Sequence, residues 1–272
     1  MTQTIFIDAG HGGTDPGAVA GSFIESEINL KAALAARDYL ADYDCEVILS
    51  RTGNTSNKVT DSTAKAKRAG AAAAVAIHHN AGGGNGCEVF YWQTDAQAKA
   101  LAQEIDKQFK LLGQNSRGVK ASSEKAYNFG VCRINAKNGI PAVLGEFAFL
   151  DNTVDRQAVD SDEKIKAEGQ AYGKALVSFL HLKPKKPPSG SAAAESGTAG
   201  QKVRLTQANL FASASARVAA RTITGDYWLY DGNALLNRYR ITNTAAHVGK
   251  LPLAKHVTGW VDAGDIVGRA MG

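Results

Sequence analysis

Four short stretches of this 272-residue chain put ionisable side chains where they can do chemistry. In Ile7-Asp8-Ala9-Gly10-His11-Gly12-Gly13 a histidine sits in a glycine-rich turn, directly after the apolar segment Thr4-Ile5-Phe6-Ile7. Glycines let the backbone bend sharply and approach a ligand closely. An imidazole at the carboxyl end of a strand, where open α/β sheets place their sites, suits metal binding or proton transfer. Taken alone, it reads as a turn histidine facing water. Glu25 stands just before a helix led by Ile28-Asn29-Leu30, where an acid also complements the helix N-terminus. His78-His79-Asn80-Ala81 closes the apolar run 73–77, so His78 is expected at the same sheet edge as His11. Glu146 ends the run Ala142-Val143-Leu144-Gly145. A carboxylate there is costly unless paired, solvated or functional. Three strands therefore each bring an ionisable residue to one edge.

The elements that must position these residues alternate between two periods. Strands are expected at 4–8, 46–50, 73–77, 87–92 and 142–147, several as short apolar runs typical of strands covered on both faces. Helices are expected at 26–41, 95–112 and 162–180. In the second, Leu101, Ile105, Phe109 and Leu112 recur at helical spacing; in the third, Ile165, Tyr172, Leu176 and Phe179 do. The alternation implies an α/β domain whose twisted, mostly parallel sheet is flanked by helices. These stripes are core, not binding devices.

Residues 183–200 break the pattern. They hold three of the six prolines, are otherwise small or charged, and cannot build a core, so they are expected to be a linker. Three domain-level segments follow: 1–182, the linker 183–200, and 201–272. The last has short β-rich runs and turn signals that suggest a small all-β barrel, with turns at Gly225 and Gly232 around the aromatic strand Asp226-Tyr227-Trp228-Leu229-Tyr230-Asp231. Charge is uneven. Residues 1–182 carry 19 Lys/Arg against 21 Asp/Glu, and residues 201–272 carry nine against four, within a net +5. The basic end favours an anionic partner, or serves solubility alone. No apolar run reaches membrane-spanning length. Met1-Thr2-Gln3-Thr4 enters a strand at once, so no secretory signal is expected. Cys45, Cys87 and Cys132 are odd in number and widely spaced, which fits reduced, buried thiols rather than disulfides or a cysteine zinc site.

The stretches Asp8-Ala9-Gly10-His11-Gly12-Gly13, Glu25-Ser26-Glu27-Ile28-Asn29-Leu30, Ile77-His78-His79-Asn80-Ala81 and Pro141-Ala142-Val143-Leu144-Gly145-Glu146-Phe147 together resemble the zinc-dependent N-acetylmuramoyl-L-alanine amidases of the amidase-3 type, found in bacterial autolysins and phage endolysins. The resemblance covers about residues 3–182, with the four motifs in the family's order. It implies one Zn2+ held by His11, Glu25 and His78, with Glu146 as catalytic acid/base. By position within the motifs it selects Glu25 over Glu27 and His78 over His79. Asp8 and Glu88 are then structural or supporting. Asn80 and His79 are the candidate substrate contacts, and the loop 82–85 is either a further contact or a plain loop. Two histidines and one glutamate leave a fourth position for water, as in catalytic zinc sites. The implied reaction is hydrolysis of the amide between N-acetylmuramic acid and the L-alanine of the stem peptide.

The C-terminal part more loosely resembles bacterial SH3-like cell-wall-binding modules, on Gly225-Asp226-Tyr227-Trp228-Leu229-Tyr230, Asn237-Arg238-Tyr239-Arg240-Ile241-Thr242 and Gly259-Trp260-Val261-Asp262. At least half of these aromatics are expected in the barrel core. The combination implies a phage or prophage endolysin, made in the host cytoplasm and acting at the wall after release, with peptidoglycan and anionic wall polymers as partners. No nucleic-acid motif accompanies the basic charge, and nothing in the sequence sets the oligomeric state. The rival readings are a zinc peptidase cutting within the stem peptide and a non-catalytic wall-binding protein.

Overall fold

The computed structural model describes residues 2–185, 198–214, 216, 220–235, 238–251, 253–262 and 265–270. Tertiary contacts divide the chain into two compact units, Met1–Lys185 and Lys186–Gly272.

The first unit is built in chain order from β1 (Gln3–Ala9), the two-residue strands β2 (Val19–Ala20) and β3 (Phe23–Ile24), α1 (Glu25–Leu40), β4 (Cys45–Leu49), α2 (Val59–Arg68), β5 (Ala73–Asn80), β6 (Cys87–Trp92), α3 (Ala96–Leu111), β7 (Ser116–Ser122), α4 (Gly130–Lys137), β8 (Ala142–Phe149) and α5 (Asp162–Leu180). Six strands form one sheet in the order β4-β1-β5-β8-β6-β7. β4, β1, β5 and β8 run parallel; β6 is antiparallel to β8, and β7 is parallel to β6. The α/β class and the mostly parallel sheet are those expected.

Side chains alternate across a sheet, so each strand feeds two layers. Ile5, Ile7, Val75, Ile77 and Val143 pack against α1, α3 and α5 on one face. Phe6, Ala74 and Ala142 pack against α2, while Ala76, Phe90 and Leu144 pack against α4, on the other. Ile5, Ile7, Val75, Ile77 and Val143 are wholly buried, each large aliphatic contributing about 1.5–3 kcal/mol. β5 does not stop at residue 77 but carries His78, His79 and Asn80 within the strand. Its polar end is tolerated because each of those side chains finds partners. Cys45, Cys87 and Cys132 are buried free thiols. Residues 183–185 dock on this unit: Lys183 O accepts from Asp44 N, and Lys185 N donates to Asp42 O, both at 2.8 Å. The rest of the expected linker, 186–197, lies outside the described residues.

The second unit contains β9 (Lys202–Phe211), β10 (Arg221–Leu235), β11 (Arg238–Thr242), α6 (Leu253–His256), β12 (Gly259–Asp262) and β13 (Ile266–Ala270). β9, β10, β11 and β12 pair antiparallel in a closed ring, with β13 added on β9. This is a small barrel around Val203, Leu205, Leu229, Ile241 and Val261. Gly225 and Gly232 are not turns. One long strand, β10, runs through both, and its register shifts beside them, because positive φ values of 138° and 69° let the strand bulge without ending. Tyr230 and Tyr239 are buried and the half-buried Tyr227 packs against the core, as expected for at least half of these aromatics, whereas Trp228 and Trp260 are half-exposed. Asn237 lies outside the described residues. Among the described residues no helix is long and apolar enough to cross a membrane.

Candidate metal centre and cleft

Strand register brings the chemistry-bearing residues together. Asp8 on β1 lies beside Ala76 on β5, and His78 on β5 lies beside Glu146 on β8, so His78 and Glu146 share a sheet face and an edge. The turn after β1 delivers His11. Its φ of 61° is left-handed, a strained conformation for a residue with a side chain, held by Gly12 (φ 123°) and Gly13 (φ 65°) after it. Two close approaches fix the rest. A Cβ on Gly10 would lie 2.3 Å from the His78 ring, and one on Gly17 would lie 2.4 Å from Glu25 Oε2. Glycine at both positions lets the turn close over the site.

Glu25 heads α1 and is 3% exposed. Its Oε1 lies 3.2 Å from His11 Nε2 and 3.1 Å from His78 Nδ1. His11, Glu25 and His78 are the one group of three metal-ligand side chains found among the described residues, with donor atoms within 4.8 Å of one another. A tetrahedral ion with ligands at about 2.0–2.1 Å needs neighbouring donors about 3.3 Å apart. The two donor pairs that meet at Glu25 have that spacing, and two imidazoles with one carboxylate are a donor set that zinc takes. Glu27, the alternative acid, is exposed.

Supporting contacts aim these donors. His11 Nδ1 is 2.8 Å from Asp15 Oδ2, which places the hydrogen on Nδ1 and leaves Nε2 to face Glu25 and His78. Glu25 Oε2 accepts from Ala18 N. The buried Arg51 guanidinium donates to Ala9 O, Gly10 O and Ser26 O, tying the His11 turn to the start of α1. Asp8 accepts from Asn57 Nδ2 and Ser62 Oγ, both at 2.5 Å, as a supporting residue. Glu88 pairs with Arg117 and Lys120.

Charge is unevenly held here. Hydrogen bonding to Glu25 raises His11 to about 9, against the effect of burial. Burial alone would raise the Glu25 carboxyl, but hydrogen bonds from His11 and His78 override it and hold it well below the usual carboxylate range. Glu146 behaves oppositely. Burial pushes it up to about 7, opposed by the nearby His78. It is 9% exposed, and its Oε2 has no hydrogen-bond partner in the protein. Metal-type donors and a carboxyl poised near neutrality thus line one cleft of about 550 Å³, with Asn57, Val59, Phe129 and Leu144 on its walls.

The two candidate substrate contacts part company. Asn80 lines the cleft, half-buried, donating from Nδ2 to Glu88 Oε2 at 3.2 Å. His79 does not offer its ring to the groove. Strand alternation turns it to the opposite sheet face, where the side chain is wholly buried against Asn29 and Glu168. Asp15, Arg51, Asn57 and Phe129 were not singled out from the sequence. A glycine-rich turn needs something to hold it, which argues for a partner such as Arg51, but nothing local points to which residue that is.

The chain is similar to known proteins in sequence and fold. The family described as N-acetylmuramoyl-L-alanine amidase matches residues 5–178. The amidase CwlM of Bacillus licheniformis is 34% identical over 185 residues, covering 65% of this chain and 69% of its own length. The endolysin of Bacillus phage SPP1 is 32% identical over 194 residues, covering 68% and 69%. Among solved structures, the catalytic domain of the amidase CwlV from Bacillus (Paenibacillus) polymyxa var. colistinus superposes with a TM-score of 0.61 at 28% identity, covering 67% of this chain and all of that domain. The chain belongs to the N-acetylmuramoyl-L-alanine amidase family of peptidoglycan hydrolases.

Proposed function

We propose that residues 1–182 form a zinc-dependent amidase that cleaves the bond between N-acetylmuramic acid and the L-alanine of the stem peptide. The observation that carries this is the placement of the His11, Glu25 and His78 donors within 4.8 Å of one another, in the cleft that Glu146 also lines. Zinc held by those three side chains supplies a Lewis acid that makes water more acidic and the scissile carbonyl more electrophilic. Glu146 then takes the proton of the attacking water and returns it to the leaving amine, freeing the N-terminus of L-alanine. A carboxyl held near pH 7 suits both halves of that transfer. Asp15 keeps His11 in the tautomer that presents Nε2. Asn80, at the cleft wall, is the proposed contact to the substrate.

The second unit is proposed to bind the wall as an SH3-like module, through half-exposed Trp228 and Trp260 and its excess of basic residues. Such a tether raises the local concentration of scissile bonds. Action at the wall in the manner of an endolysin fits the phage relative. A protein ending after residue 185 should stay folded and active on soluble fragments but pellet less with intact walls. Equal pelleting contradicts the wall-binding role.

The reaction is tested by digesting purified peptidoglycan with and without a chelator and reading the new termini by mass spectrometry. Chelator-sensitive release of peptides with free N-terminal L-alanine is expected. Cuts inside the peptide move the chain to the peptidase reading, and chelator-insensitive cleavage removes the metal.

A further inference from the structure

Behind the proposed zinc ligands lies a second polar cluster that the reaction does not use. Asn29 is 0% exposed, His79 2% and Glu168 0%. They sit on three elements, α1, β5 and α5, on the sheet face away from the cleft. Burying an acid and an imidazole in this core is costly unless the arrangement serves something. α5 can reach this far inward because Gly169, next to Glu168, lies against α1: a Cβ there would be 2.2 Å from Ala32 O.

The contacts form a single line ending on Glu25. Glu168 Oε2 is 3.3 Å from His79 Nε2, an ion-pair contact without hydrogen-bond geometry, and His79 Nδ1 is 2.8 Å from Asn29 Oδ1. Asn29 Nδ2 donates to Glu25 Oε1 and to Gly10 O, both at 3.2 Å. Hydrogen-bond accounting fixes the order. The Asn29 amide faces two acceptors on one side, Gly10 O and the Glu25 carboxylate, so its nitrogen points there and its oxygen faces His79. His79 must then carry a hydrogen on Nδ1. Glu168 holds the far end of the ring, and Phe147 meets the ring edge-on at 6.2 Å. The backbone N–H of His79 also donates to Glu25 Oε1, at 3.0 Å.

We propose that Glu168, His79 and Asn29 are positioning residues, a buried brace that sets the orientation of the Glu25 carboxylate as a metal ligand. The inference rests on the zinc reading above. It gives His79 a role one step behind the metal. Outer partners of metal ligands commonly change metal affinity about 10–100-fold when lost. A brace that served only to lock α5 to the sheet would change folding stability and leave zinc affinity alone.

The test is a zinc titration of the full chain against a chelating dye, for wild type, Glu168→Leu, Glu168→Gln and Asn29→Ala, with far-ultraviolet circular dichroism confirming that each is folded. Glu168→Leu should bind zinc about 10–100-fold more weakly, and Glu168→Gln, whose amide can donate to His79 Nε2 and so keeps a polar contact there, should stay within a few-fold of wild type. The absorption spectrum of the cobalt-loaded protein should shift in Glu168→Leu and return to the wild-type form in Glu168→Gln. If Glu168→Leu does not fold, Asn29→Ala, which removes no buried charge, decides by the same titration and the same 10–100-fold loss. Wild-type affinity and spectrum in a folded Glu168→Leu, or in Asn29→Ala where that variant decides, overturn the brace and leave the zinc site standing. A wild type that takes up no zinc overturns the metal reading, and the brace with it.

Discussion

The two faces of the six-stranded sheet use adjacent histidines in opposite ways. On the cleft face, His78 lies beside Glu146 and meets Glu25 at an edge still open to solvent. On the other face, His79 is sealed among Asn29, Glu168 and Phe147. The two residues are neighbours in sequence and share a strand, yet the period of two along β5 separates them. The cleft face leaves donor atoms aimed at a ligand, and its carboxyl at Glu146 is kept near neutrality by burial. The opposite face turns its polar groups toward one another, His79 on Asn29 by a hydrogen bond and on Glu168 by an ion-pair contact. Function at this sheet edge is therefore set by the parity of a residue as much as by its type.

That contrast can be broken by substitution. The largest effect is expected from His78→Ala, which should lose both bound zinc and turnover, whereas His79→Ala should still turn over when zinc is saturating. Elemental analysis and peptidoglycan digestion read both. Glu146→Ala should lower turnover about 10²–10⁴-fold, the usual worth of a positioned acid/base, while keeping one zinc per chain. Loss of the metal in that variant would make Glu146 a ligand. His79→Ala should appear in stability as well as in zinc affinity. It leaves Glu168 buried without its partner, which costs about 3–5 kcal/mol in a denaturant titration.

Two smaller effects sharpen the picture. Glu146 must be ionised to accept a proton, and burial raises it to about 7. Activity should therefore fall as pH drops through about 7, or lower where a bound cation adds positive charge beside it, and Glu146→Asp should shift this limb of the profile. In the metal-free protein, His11 is raised to about 9 by Glu25. Its contribution to stability is complete below about 6.5 and is lost as pH rises through about 9. Chelated protein should lose stability across that window and zinc-loaded protein should not. Asp15 is 65% exposed, so Asp15→Asn should weaken zinc binding only a few-fold.

The strongly periodic elements were legible in the sequence. β1, β5 and β8 and helices α1, α3 and α5 lie within a few residues of their expected places. The missed elements carried weak patterns. α2 buries only Ser62, Thr63 and Ala66, so its ten residues show no apolar stripe. α4 has eight residues, and β7, at the sheet edge, reads Ser116-Arg117-Gly118-Val119-Lys120-Ala121-Ser122 with little alternation. The reversal of β6 leaves no mark on its own sequence. At the site, His11, Glu25, His78 and Glu146 carry local signals, since each follows an apolar run or begins a helix. Arg51, Asn29 and Glu168 do not, because their partners are 42, 50 and 89 residues away and meet them only through the fold. His79 stands in plain view beside His78, but two adjacent polar residues hide the parity of the strand that turns its ring to the other face.

The central claim is that the ion sits on the cleft face, between His11, Glu25 and His78. Anomalous diffraction from zinc-loaded crystals, collected on both sides of the zinc absorption edge, tests it directly. We predict one strong peak per chain at about 2.0–2.1 Å from His11 Nε2, a Glu25 carboxylate oxygen and His78 Nδ1, with His79 unligated. A peak on the His79–Glu168 pair, or none at a zinc concentration that supports activity, would contradict it.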